Sequence, residues 1–182
     1  METSKEITYF IAFGGNIGNV LSTFRNVFTE LNSEIGTIEK ISKIYRSKPL
    51  PTTVHGEQDP YLNGVLILRS ALDPRVLLNK LIEIEQSLGR DRTLSAFWGP
   101  RKIDLDIISA DDLIIDESDL KIPHPRRCDR DFVLVPIRDV SPLWVDPMTG
   151  KSIESLITEL TEDKIFISEM QEDDLSSFIG ND

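Results

Sequence analysis

Apolar residues along this chain change their period several times, and each change marks an element. Ile7–Phe13 is an almost unbroken apolar run closing on Gly14-Gly15-Asn16, the pattern of a buried strand and a turn. Val20, Phe24, Val27, Phe28 and Leu31 then recur at helical spacing behind Asn19, a side chain suited to cap a helix. Ile38, Ile41 and Ile44, with Tyr45, predict a second strand without clean alternation, and Tyr61–Leu68 predicts a third. Asp73-Pro74 has the form of an N-cap followed by proline at the first helical position. Behind it Val76, Leu77, Leu81, Ile84 and Leu88 supply an apolar stripe, and Gly89 a stop. Ile103–Ile108 predicts a fourth main strand, Leu113–Ile115 a short extra one, Phe132–Ile137 a short apolar element and Ile153–Leu160 a last helix.

The main elements therefore run strand, helix, strand, strand, helix, strand. That order predicts an α+β fold of the ferredoxin-like βαββαβ type, a mostly antiparallel sheet with helices on one face. Two stretches break it. Ser47–Pro60 carries Pro49, Pro51 and Pro60, and Arg90–Arg101 has no sustained apolar period. Both read as long active-site loops able to enclose a pocket.

Composition narrows the picture. The 182 residues suit a single domain, 1–160, followed by an acidic C-terminal tail, 161–182. The net charge is −11, but residues 154–182 hold nine acids against one base, so the body is nearly balanced. No basic face for nucleic acid is expected, while a local cluster of arginines could still take a small anion. One cysteine, Cys128, rules out an internal disulfide framework and suits a reduced, cytoplasmic protein. No run is long enough to span a membrane. Beyond Glu162 Ile165, Phe166 and Ile167 could dock, and the tail is expected to be dispensable.

The sharpest local signal is Trp98-Gly99-Pro100-Arg101-Lys102-Ile103-Asp104-Leu105-Asp106-Ile107-Ile108. Strand side chains alternate between faces, so Asp104 and Asp106 project together while Ile103, Leu105 and Ile107 enter the core. Neighbouring carboxylates repel unless a cation lies between them, and hard oxygen ligands with phosphate partners suit Mg2+. A solvated polar strand face with an Arg–Asp pair is the plainer alternative. Arg90, Arg92, Arg101 and Lys102 form a basic loop that could fork onto phosphates and close over them, or could be solvated. His124, rigid between Pro123 and Pro125, lies close in sequence to Arg130 and Phe132. Cys128 reads either as a thiol activated by its arginines or as a bystander. Gly14-Gly15-Asn16-Ile17-Gly18 has the wrong spacing for a dinucleotide fingerprint and reads as a turn bringing backbone close to a ligand.

Taken in order, Phe13-Gly14-Gly15-Asn16, Tyr45-Arg46-Ser47, Tyr61-Leu62-Asn63, Glu85 with Gly89-Arg90, Trp98-Gly99-Pro100-Arg101 with Asp104-Leu105-Asp106, Pro123-His124 and Arg130-Asp131-Phe132 resemble the 6-hydroxymethyl-7,8-dihydropterin pyrophosphokinases of folate biosynthesis. The resemblance runs from about residue 7 to about residue 160. It implies transfer of the β,γ-pyrophosphoryl group of ATP to the pterin hydroxymethyl oxygen, with AMP leaving and two Mg2+ on Asp104 and Asp106. Arg90 and Arg101 would be catalytic. Glu85, Arg92, Trp98, Ile107, His124 and Arg130 would serve ATP. Ser47, Leu50, Tyr61, Asn63, Trp98 and Phe132 would hold the pterin, stacked between Trp98 and Phe132. A monomer is implied, with a folate-pathway enzyme as one reading of what the tail contacts. Gly15 departs from the usual Ser, Phe97 from a charged residue, Ser47-Lys48 from Thr-Pro and Asp119 from a base. A nucleotide-binding module without turnover and a metal-dependent phosphatase are the competing readings of the same residues.

Overall fold

The computed structural model describes residues 5–49, 57–89, 99–171 and 175. Its first strand, β1 (Ile7–Gly15), is longer than the sequence predicts, because Gly14 and Gly15 stay extended and paired rather than turning. Helix α1 (Val20–Glu34) follows, with the Asn19 side chain accepting from the Ser22 amide as expected of the cap. Its residues Phe24, Val27, Phe28 and Leu31 are all buried, and Phe13 packs edge-on against both Phe24 and Phe28 with ring centroids 4.9 Å apart.

The predicted second strand is two strands, β2 (Thr37–Ile41) and β3 (Ile44–Ser47), both paired with β4 (Tyr61–Ser70). The break at Ser42–Lys43 accounts for the imperfect alternation. There the Ser42 hydroxyl takes a ladder position, accepting from the Val65 amide at 2.9 Å. Helix α2 (Pro74–Ser87) begins at the Asp73 cap and ends at Gly89, whose φ of +90° lies in the left-handed region. Strand β5 (Asp104–Ala110) pairs with β1. The extra strand is shorter than expected and starts two positions later, at Ile115–Asp116 (β6), and pairs with β7 (Lys121–Ile122).

The element predicted at Phe132–Ile137 is a full helix, α3 (Asp131–Val140), which runs through Pro136. Proline donates no amide, so Phe132 loses its i+4 bond without the helix ending. Helix α4 is Ile153–Thr158, and a last strand, β8, spans Ile167–Gln171. The sheet order is β5-β1-β4-β3-β8, with β2 also on β4, and every pairing is antiparallel. This is the expected ferredoxin-like arrangement.

Alternation along the strands divides the interior in two. Tyr9, Ile11, Phe13, Leu66, Leu68, Leu105 and Ile107 face α1 and α2. Phe10, Val65, Ile67 and Ile108 face the other way, onto Val133, Leu134 and Ile137 of α3 and Ile153 and Leu156 of α4. The two helices of the βαββαβ unit thus share one face as expected, and α3 with α4 cover the second. No helix among the described residues is long and apolar enough to cross a membrane. Part of the expected tail is structural: β8 completes the β3 edge, and Leu175 is buried in the main core.

Candidate active site

The register places the polar site residues in rows. Gly14 of β1 lies opposite Asn63 of β4 on one side and Asp104 of β5 on the other, and Ala12 lies opposite Asp106. Paired residues share a face, so Asn63, Asp104 and Asp106 look toward α3, beyond the end of its apolar contact. Leu105 and Ile107 enter the opposite core, as their alternation requires. Gly14 is needed in this row: a Cβ there would stand 2.6 Å from Asn63 Oδ1. Across this row the backbones of Asn63 and Asp104 stand two strand spacings, about 10 Å, apart, with no side chain of β1 between them.

On the acid side, Arg101 donates to Asp104 across 3.0 Å, and its guanidinium lies 5.6 Å from the Tyr61 ring centroid. Among the described residues no acceptor meets the buried Arg101 Nε. Burial, then Asp104, then Glu85 push the Asp106 carboxyl up to about 7, against the pull of Arg130 and Arg101. Glu85 is fully buried on α2 and accepts the Leu105 amide at 2.8 Å, so it fixes β5 between the two aspartates.

Arg101 is held by its backbone. The Asn16 amide donates to the Arg101 carbonyl at 2.9 Å, and the Arg101 amide donates back to Asn16 Oδ1 at 2.9 Å. Asn16 Nδ2 also reaches the Asp59 carbonyl at 3.0 Å. A Cβ at Gly15 would lie 2.4 Å from the Lys102 carbonyl oxygen. The expectation that Gly14–Asn16 turns to approach a ligand is therefore corrected: Gly14 and Gly15 stay in the strand, and the close approach of Gly15 and Asn16 is to residues 101 and 102. Asn16 is a site-organising residue that sequence reasoning quoted without assigning it a role. No local signal points to its partner 85 residues away.

The remaining described residues gather around this row. Asn63 Nδ2 donates to the buried Ser47 Oγ at 2.7 Å. The Tyr61 hydroxyl bonds the Gly99 carbonyl at 2.9 Å and the Gln58 side chain at 3.0 Å. His124 is anchored to the edge of β5 through its amide, 2.8 Å from the Ile108 carbonyl, and its Nδ1 accepts the Arg126 amide. Burial, followed by Arg130 and Arg126, holds its imidazole down at about 4, so it is neutral at ordinary pH. Ile107 packs in the core rather than at the surface. The Arg130 guanidinium lies 5.4 Å from the Phe132 ring centroid and its charge acts on both aspartates. Asp119 is bound by Arg75 of α2 at 2.6 Å, on the exposed side of that helix. Leu50, Arg90, Arg92, Phe97 and Trp98 lie outside the described residues.

Among the described residues no group of three or more acids, histidines or cysteines forms a metal cage. The donor set nonetheless fits a hard divalent ion that keeps water and phosphate ligands: two carboxylates on one face, one of them raised by burial and then by its acidic neighbours, beside a half-satisfied arginine. Carboxylates for a metal, arginines for anions and an amide edge across the row define a phosphoryl-type transferase on a ferredoxin-like sheet.

Comparison with known proteins gives the family. The model of the 7,8-dihydro-6-hydroxymethylpterin-pyrophosphokinase family matches residues 10–142. A 2-amino-4-hydroxy-6-hydroxymethyldihydropteridine pyrophosphokinase of Synechocystis is 41% identical over 151 residues, covering 82% of this chain and 74% of its own. The Aquifex aeolicus enzyme of that name is 34% identical, covering 85% and 92%. The folic acid synthesis protein FOL1 of Dictyostelium discoideum is 38% identical over 138 residues, 76% of this chain but only 20% of that protein. Wild-type HPPK-DHPS of Plasmodium falciparum superposes with a TM-score of 0.69 at 14% identity, over 87% of this chain and 45% of that one, a likeness of fold. The chain belongs to the 7,8-dihydro-6-hydroxymethylpterin-pyrophosphokinase family.

Proposed function

We propose that this diphosphokinase of folate biosynthesis works across the Asn63–Gly14–Asp104 row, with ATP phosphates at the acid end and the pterin at the amide end. The hydroxymethyl oxygen attacks the β-phosphorus of ATP and loses its proton. The bond between the β-phosphorus and the bridging α-oxygen breaks, and AMP leaves. The observation that carries this reading is the span: about two strand spacings separate Asn63 from Asp104, a reach suited to a bicyclic ring and its hydroxymethyl arm.

Asp104 and Asp106 would hold two Mg2+, which when bound supply charge neutralisation and Lewis acidity to the phosphate oxygens. The chain's own residues do the positioning. Arg101, pinned through Asn16, forks onto the transferring group, and Arg130 adds charge from the α3 side. Asn63, oriented by Ser47, reads the pterin edge, while Tyr61 and Phe132 offer aromatic faces. Neutral His124 and Ile107 belong to the adenosine side, where Glu85 contributes through the strand it holds. Arg90 and Arg92 on the phosphates, and Leu50 and Trp98 on the pterin, complete the assignment by family resemblance. The residues assigned to catalysis and binding lie within 1–160, the strand β8 of the segment 161–182 is built onto the same sheet, and the enzyme acts as a cytoplasmic monomer.

The test is product analysis with ATP, hydroxymethyl-dihydropterin and Mg2+, omitting each in turn. AMP and pterin diphosphate should appear only with all three. ADP as product, or AMP without pterin, would remove the proposal.

A further inference from the structure

We propose that the C-terminal segment forms a wall of the pterin pocket, with Phe166 as a positioning residue that fixes the Phe132 ring. This deepens the reading above and rests on its assignment of Phe132 to the pterin.

Three contacts converge on Phe166, and a fourth is made by its neighbour Ile167. Its amide and that of Ile167 both donate to Asp131 Oδ2, at 2.8 and 2.7 Å. Asp131 is buried and immediately precedes Phe132 at the start of α3. The Phe166 carbonyl accepts the Lys48 amide at 2.8 Å, next to Ser47, whose hydroxyl receives the Asn63 side chain. The Phe166 ring meets Phe132 edge-to-face, with centroids 5.7 Å apart and planes at 72°. From there β8 pairs with β3, with Ile167 opposite Ser47 and Met170 opposite Tyr45.

One residue thus ties together the two groups assigned to the pterin. Its backbone joins the end of β3, which orients Asn63, to the start of α3, which carries Phe132. With Arg130 stacked near the same ring, Phe166 leaves Phe132 little freedom to rotate. An ordered ring binds a flat ligand without first losing rotamer freedom, and an edge-to-face pair adds its own interaction. The tail's acidity concealed this, because the strand is short and its partners lie more than 30 residues away.

The experiment uses the full chain and measures kcat, KM for each substrate and thermal unfolding. Phe166→Ala should raise KM for the pterin by about three- to tenfold, with KM for ATP and the unfolding temperature little changed. Phe166→Tyr should restore it. Phe166→Ala added to Phe132→Ala should weaken pterin binding no further than Phe132→Ala alone. If Phe132→Ala weakens the pterin and Phe166→Ala does not, the inference fails and the pocket assignment stands. If Phe166→Ala raises both KM values together and lowers the unfolding temperature, the role is general support and the inference also fails. If Phe132→Ala itself has no effect, the pocket assignment fails and carries the inference with it.

Discussion

Two charge clusters, one buried around Arg127 and Asp146 and one half-buried around Asp104, Asp106 and Arg101, are built on opposite terms. Arg127 and Asp146 form a closed unit. The Arg127 Nε and Nη2 both donate to the carboxylate, the latter at 2.7 Å. Asp146 also takes the Met148 and Thr149 amides and the Thr149 hydroxyl. Arg127 Nη1 closes the loop on the His124 carbonyl. Burial alone would raise the Asp146 carboxyl, and these donors reverse that, holding it below the usual 3.8. The Asp104–Asp106 cluster is the reverse. Burial and then its acidic neighbours raise Asp106 to about 7, and Arg101 keeps a buried nitrogen without an acceptor among the described residues. A cluster whose members satisfy each other holds a fold together, whereas one whose members do not is shaped for a bound group.

Substitutions on each side sharpen that contrast. Asp106→Ala should lower turnover by about a thousandfold or more while leaving the unfolding temperature unchanged or higher, since it removes a repulsion. Steady-state rates and calorimetry on one preparation decide this, and a destabilised but active variant would reverse the assignment. Asp146→Ala should do the opposite. It strands a buried guanidinium and should cost about 3–5 kcal/mol of stability, with kcat of the folded fraction preserved. Because the folded Asp146 carboxyl lies below its unfolded value, its contribution is present above pH 3.8 and lost as pH falls through the folded value. The stability gap between wild type and Asp146→Ala should therefore close in strong acid, as urea unfolding at a series of pH values can measure.

Arg101→Ala comes next, with kcat down by about a hundredfold and KM for ATP changed by less than about threefold. An effect confined to KM would make Arg101 a binding group for the ground state. The smallest effect is expected at Cys128. Burial raises its thiol despite Arg127, which favours the bystander reading over the activated one. Cys128→Ser should change activity by less than about twofold, and alkylation at neutral pH should be slow.

Much of the fold was legible because it is written locally. The Asn19 and Asp73 caps, the α1 and α2 stripes and the alternation of Asp104-Leu105-Asp106 each depend on neighbours within a turn or a strand. Three elements were not legible for the same reason. The break between β2 and β3 depends on Ser42 meeting Val65, α3 continues past Pro136 because its apolar face is packed, and β8 is a strand only because β3 offers it an edge.

By itself, the sequence determined the element order, the strand that carries two carboxylates on one face, and the ordered motifs that placed the chain in its family. Only the tertiary structure decided what those carboxylates face, how Asn16 grips Arg101, and that the acidic C-terminus returns to the start of α3 through Phe166. Periodicity and capping are set by residues within about a turn of one another, so they can be read along the chain. Register across a sheet and contacts dozens of residues apart are fixed by the packing of the whole, and no local pattern encodes them.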